Sequence, residues 1–98
     1  MLKGTLEKIK IYKGRKSNVK VGDFAVGVLQ VARLDTEEIL RLKSFRQLKL
    51  RDMVFISEGG FWFLKTSPVV RIERITKYSI LFRTESSLYR FTLQKGKK

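Results

Sequence analysis

Between Leu6 and Tyr12 apolar and polar residues alternate: Leu6, Lys8, Lys10 and Tyr12 fall on one face, Glu7, Ile9 and Ile11 on the other. That period of two predicts a half-buried strand. Lys13-Gly14-Arg15-Lys16-Ser17-Asn18 follows as a charged, glycine-bearing loop. Phe24–Ala32 is apolar on both faces and predicts a buried strand, with a bend or close backbone approach at Gly27. Met53–Glu58 and Phe61–Thr66 flank Gly59-Gly60, a hairpin signal because both loop positions accept positive φ. Three further strands are expected over Pro68–Ile75, Ile80–Thr84 and Leu88–Leu93, with Pro68 at a strand start, where it costs no ladder bond.

One segment departs from the period of two. Asp35 and Glu38 have the spacing of a capping box, and Leu34 and Ile39 that of a hydrophobic staple. Ile39, Leu42, Phe45 and Leu48 recur every third residue, flanked by Arg41 and Arg46, with Lys43 and Gln47 opposite. These features predict a helix over 36–47. Two other segments echo each other: Val19-Lys20-Val21-Gly22-Asp23-Phe24 and Leu48-Lys49-Leu50-Arg51-Asp52-Met53. Both read as turns feeding a strand, with the aspartate holding exposed backbone donors. The expected fold is mainly β (α+β): a small SH3-like or OB-like barrel, or a strongly curved antiparallel sheet, with one helix.

The length of 98 residues fits one domain, 1–98, whose basic end at 95–98 is expected to fray. Cysteine and histidine are both absent, which removes disulfides, thiolate zinc sites and the commonest general base. No apolar run approaches the roughly 20 residues of a membrane span, and Lys3 is not followed by the apolar core of a signal peptide. A cytoplasmic location without a membrane is the expectation. No P-loop, dinucleotide fingerprint or nucleophile elbow occurs, and the nine carboxylates show no metal-ligand spacing. No catalytic residue, metal or cofactor is therefore expected. A histidine-free, metal-independent RNase of the toxin kind, working through Lys, Arg, Tyr and Glu, is the enzyme alternative.

Charge changes the picture most. Lys and Arg number 22 against 9 Asp and Glu, a net +13. An unbalanced field of this size points to an anionic partner, DNA or RNA. Lys8, Lys10 and Tyr12 on one strand face, followed by Lys13, Arg15, Lys16 and Lys20, suit a groove that tracks phosphates. The same lysines also suit a solvated edge strand.

Pairing Glu58 with Phe61 across the hairpin puts Val54, Ile56, Phe61 and Phe63 on one face and Met53, Phe55, Trp62 and Leu64 on the other. Only one face can meet a small core. The other is expected to be covered by the helix, by a second chain, or by nucleic acid stacking on Trp62 beside Lys65. Arg71, with Arg74, Lys77, Arg83 and Arg90, adds basic positions whose register the sequence leaves open.

Thr66-Ser67-Pro68-Val69-Val70-Arg71-Ile72, followed by Phe82-Arg83-Thr84-Glu85-Ser86-Ser87-Leu88-Tyr89-Arg90-Phe91, resembles the C-terminal part of small uncharacterised phage and mobile-element proteins. The resemblance implies an accessory protein of a virus, plasmid or prokaryotic genome, and no particular activity. The leading expectation is a non-enzymatic nucleic-acid-binding β domain of weak sequence selectivity. The alternative is a protein-interaction module that forms a homodimer or takes a partner through an apolar sheet face.

Overall fold

The computed structural model of the chain describes residues 2–12, 20–58 and 61–94, with residues 57, 58 and 61–63 described through their backbone alone. The strands are β1 (Lys3–Ile11), β2 (Phe24–Arg33), β3 (Glu38–Arg41), β4 (Asp52–Glu58), β5 (Phe61–Ile75), β6 (Ser79–Thr84) and β7 (Ser87–Leu93). All pairings are antiparallel, in the order β1-β7-β6-β5-β4-β2, and β2 pairs back onto β1, so six strands close into a small barrel. Closure is possible because β2 serves two neighbours in turn: Phe24–Val28 pairs with β1, and Val28–Arg33 with β4. The mainly-β small barrel expected from the sequence is what the chain adopts.

Alternation within the strands fills the barrel. Leu6, Ala25, Leu29, Val31, Val54, Ile56, Leu64, Val69, Ile80, Phe82, Tyr89 and Phe91 form one buried cluster. Phe82 and Tyr89 stack across β6 and β7 with ring centroids 5.7 Å apart. At the β1–β2 seam the facing pairs are Gly4 with Gly27 and Leu6 with Ala25. Small residues there let the sheet bend sharply enough to close. A Cβ on Gly4 would collide with the Thr92 carbonyl oxygen on β7 and lie 2.9 Å from the Leu93 Cα.

The helix expected over 36–47 is absent. Leu34–Glu37 instead turns β2 into β3, with Arg33 paired to Glu38 and Glu37 at φ 58°. Thr36 Oγ1 donates to Glu38 Oε1 at 3.0 Å, and Glu38 is the first residue of β3, so no helix follows for Asp35 to cap. The box forms nine residues later. Ser44 caps a single 3₁₀ turn, Phe45–Gln47, and Gln47 Oε1 accepts from the Lys43 and Ser44 backbone N–H groups. Strict three-residue spacing is the period of a 3₁₀ turn, not the 3.6 of an α-helix. Leu42, Phe45 and Leu48 accordingly enter the core as a plug, with Phe45 edge-on to Phe91 at 6.2 Å, while Ile39 stays 59% exposed.

The echoed segments are one turn used twice. Asp23 N–H donates to the Lys20 carbonyl at 2.9 Å and Asp52 N–H to that of Lys49 at 3.1 Å. Each carboxylate accepts the N–H three residues back, at 2.8 and 2.9 Å. Gly22 (φ 93°) and Arg51 (φ 76°) hold the left-handed third position of this type II pattern.

Two strand details differ from expectation. Pro68 does not start a strand but lies inside β5, where a bulge separates the pairs Met53–Pro68 and Phe55–Lys65. Thr66 Oγ1 accepts the Val54 N–H at 3.1 Å inside that bulge, in place of a ladder carbonyl. A second shift follows Ser57–Trp62, so Ile56 pairs with Leu64 and Leu64 joins the core. The Glu58–Phe61 pairing stands as expected, while Gly59-Gly60 lies outside the described residues, as does the tail at 95–98. Phe55 lies outside the central cluster yet is 1% exposed.

Gly4→Ala is expected to lower stability by about 1–3 kcal/mol or more, because the colliding atom is backbone. Chemical denaturation measures it. The cap assignment is checked in the same way: Gln47→Ala is expected to cost about 1 kcal/mol and Asp35→Ala close to nothing.

Candidate nucleic-acid interface

The candidate residues of the first strand part company at a bulge. The β1–β7 register shifts between Lys8 and Lys10, which breaks the alternation that would have kept them on one face. Lys8 points inward beside Leu6 and is 2% exposed, so it is removed from the candidate surface. Its Nζ stands 5.9 Å from the Tyr89 ring centroid. Its backbone N–H donates to the Asp23 carbonyl at 3.0 Å, and its carbonyl accepts from Gly22 at 2.8 Å. Burial lowers the Lys8 pKa from the usual 10.5, an effect Asp23 partly offsets.

Lys10 and Tyr12 face outward, and the register supplies the partners the sequence left open. Lys10 pairs with Leu88, Leu88 with Arg83, and Arg83 with Arg71, so one row crosses β1, β7, β6 and β5. Tyr12 is tied by its N–H to the Ser86 carbonyl at 2.7 Å. The Arg83 guanidinium lies 4.1 Å from the Tyr12 ring centroid, and the Lys10 ammonium 5.3 Å from the same ring. The aromatic face holds both cations in place. Arg83 Nε is buried and has no hydrogen-bond partner among the described residues. Arg71 meets Glu73 at 3.5 Å but also stands directly opposite Arg83. Like charges opposed across a strand pair repel, and an anion between them would relieve the repulsion. One residue pair further along, Arg74 and Arg90 flank Leu81 on the neighbouring strands, with Arg90 3.5 Å from Glu7.

The remaining candidates do not join this row. Lys20 is exposed, in the turn closed by Asp23. Lys65 is exposed on β5 opposite Phe55. Lys13, Arg15 and Lys16 lie outside the described residues, and so does the Trp62 side chain, whose backbone pairs with Ser57. Arg83 is the member whose importance the sequence could not rank, because register alone places it between Lys10 and Arg71.

A polar network ties β2, the 3₁₀ turn and β4 together. Arg33 Nε donates to Asp52 Oδ1 at 3.2 Å, and Arg33 Nη2 to the Gln47 carbonyl at 2.6 Å. Among the described residues no cluster of three or more acidic side chains could hold a metal ion, and no helix is long and apolar enough to cross a membrane. Comparison with protein-family models, with curated proteins and with solved structures gives no match.

Stability is expected to depend on pH through Lys8. With its folded pKa lowered, the unfolded chain binds more protons between that pKa and 10.5, so stability rises with pH across the window. Burial raises the Tyr89 pKa against the opposing Ser87 hydrogen bond, which lowers stability from about pH 10 upward. Denaturation midpoints measured below pH 10 are expected to rise for the parent chain, and Lys8→Met is expected to remove that rise.

Proposed function

We propose that the chain binds nucleic acid without acting on it chemically, through the outer face of β1, β7, β6 and β5. The observation that supports this is the row of Lys10, Arg83 and Arg71, with Tyr12 holding the first two. Cations on β1, β6 and β5 in one row suit phosphates spaced along a backbone, and a rigid sheet presents them without a large ordering cost. The row offers charge and one aromatic ring, which suits binding of weak sequence selectivity. In this reading the chain works in the cytoplasm, as an accessory protein of a phage, plasmid or prokaryotic genome.

Binding to single strands is expected at low salt and to weaken steeply as salt rises. Lys10→Gln/Arg71→Gln/Arg83→Gln is expected to make the plot of log K against log salt shallower by about 2, at roughly 0.7 per lost phosphate contact. Tyr12→Phe keeps the ring and is expected to bind like the parent, whereas Tyr12→Ala frees Arg83 and is expected to lose about 0.5–1 kcal/mol. Absence of binding to DNA and RNA at low salt would sink the reading.

The protein-interaction alternative has its own observation. Phe24 and Val26 project outward from β2 and are exposed, with Val21 exposed in the preceding turn. Sedimentation separates the two: a dimer that Phe24→Ser dissociates, in a chain indifferent to nucleic acid, would favour this reading.

A further inference from the structure

The 3₁₀ turn lies between two clefts at the end of the barrel where β5 finishes and β6 starts. One, of about 510 Å³, is lined by Arg33, Arg41, Lys43, Arg46 and Lys49 together with Leu40, Leu42 and Gln47. The other, of about 430 Å³, is lined by Lys43, Arg46 and Lys77 with Leu2, Phe45, Thr76 and neighbours. Lys43 and Arg46 line both, so the two clefts meet at these side chains, and together they are called the groove around the turn. Six cations line it and no carboxylate does. Asp52 meets the lining cation Arg33 at 3.2 Å and is itself 2% exposed. Arg41, Lys43, Arg46, Lys49 and Lys77 make no ion pair with any described residue.

We infer that this groove is a second nucleic-acid contact, holding the sugar-phosphate backbone by side-chain charge and reading no base. The inference rests on the nucleic-acid reading above and adds a site to it. The backbone donors at the start of the turn are already taken by Gln47 and Ser44, so the cationic side chains supply the attraction. Arg33 is held in advance by Asp52 and the Gln47 carbonyl. The one aromatic among the lining residues, Phe45, is buried against Phe91, so the lining itself offers no ring for a base to stack on; Tyr78, 55% exposed, stands beside the groove with the Lys77 ammonium 5.4 Å from its ring. The groove is also distinct from the outer-face row: Ser79, next to the groove's end of β6, and Arg83 are separated by roughly 13 Å of strand.

The test uses the full chain and three probes: oligo-dT of about 15 nucleotides, within single-strand site sizes, an abasic deoxyribose-phosphate strand of equal length, and inorganic tripolyphosphate. Lys43→Gln/Arg46→Gln/Lys49→Gln/Lys77→Gln changes only exposed side chains and leaves Arg33 with Asp52. Its salt slope on the abasic strand is expected to be shallower by about 3, and its low-salt affinity at least tenfold weaker. Arg46→Gln/Lys77→Gln, the milder variant should the first not fold, is expected to flatten the slope by about 1.4. Parental slopes in these variants, with binding lost in the Lys10/Arg71/Arg83 variant, would overturn the groove and leave the outer-face reading standing. Tripolyphosphate bound as tightly as the abasic strand, and lost in the groove variant, would make the groove a small-anion site and overturn the assignment. A parent chain that binds neither strand at low salt would overturn the outer-face reading as well.

Discussion

Everything else in the structure depends on closing six strands through the β1–β2 seam. β2 must leave β4 and meet β1 within its own length, and the hand-over falls at Val28, which pairs with both Lys3 and Ser57. The inward positions beside it are Gly4 and Gly27, and β7 runs so close to Gly4 that no side chain fits there. Closure gives each barrel strand two neighbours, β2 and β5 meeting theirs in successive halves, and shortens the free edges that an open sheet of this composition would present. It also leaves an interior too narrow for a packed helix. The one turn of helix, Phe45–Gln47, instead seals the barrel with Phe45.

A narrow apolar interior sends nearly all of the charge outward, and the carboxylates are unevenly placed among the bases. Asp35, Glu37 and Glu38 gather in the β2–β3 turn and the first residue of β3. Asp52 is spent inside on Arg33, and Asp23 on its own turn. Glu7 and Glu73 each meet one arginine of the outer face, Arg90 and Arg71. The groove around the 3₁₀ turn receives none, so the net +13 is locally more intense there than a uniform surface would give.

The strands were legible in the sequence because period-two alternation survives local irregularity, and the two aspartate turns because their hydrogen bonds are local. Register was not legible. Shifts at Lys8/Lys10, Ile56/Ser57 and Met53/Phe55 each add a residue that pattern alone cannot locate, and each moves later side chains to the other face. Lys8 accordingly lies with the core while Lys10 does not, and Leu64 packs inward opposite Ile56. The helix was misread for a different reason. Asp35–Glu38 and Ser44–Gln47 both have capping-box spacing, and only tertiary contacts choose between them: β3 pairs with β2 through Glu38–Arg41, which leaves the second box free to form. The basic residues around it then looked like the polar face of a helix instead of the walls of a groove.

The bulge that misplaced Lys8 also builds the outer face. Without it, Lys8 and Lys10 would point the same way, and Lys10 could not stand outside while Lys8 remained in the barrel. Behind the row Lys10, Leu88 and Arg83 lie Lys8, Tyr89 and Phe82, inward neighbours on the same three strands, with Phe82 stacked on Tyr89 and Lys8 beside the Tyr89 ring. Adjacent residues of a strand share a backbone, so a change in that inner packing turns the outer side chains with it. The buried lysine costs stability, as its lowered pKa indicates. The interior thus fixes which strand positions carry the outer cations, and the Tyr12 ring then orients two of them, Lys10 and Arg83.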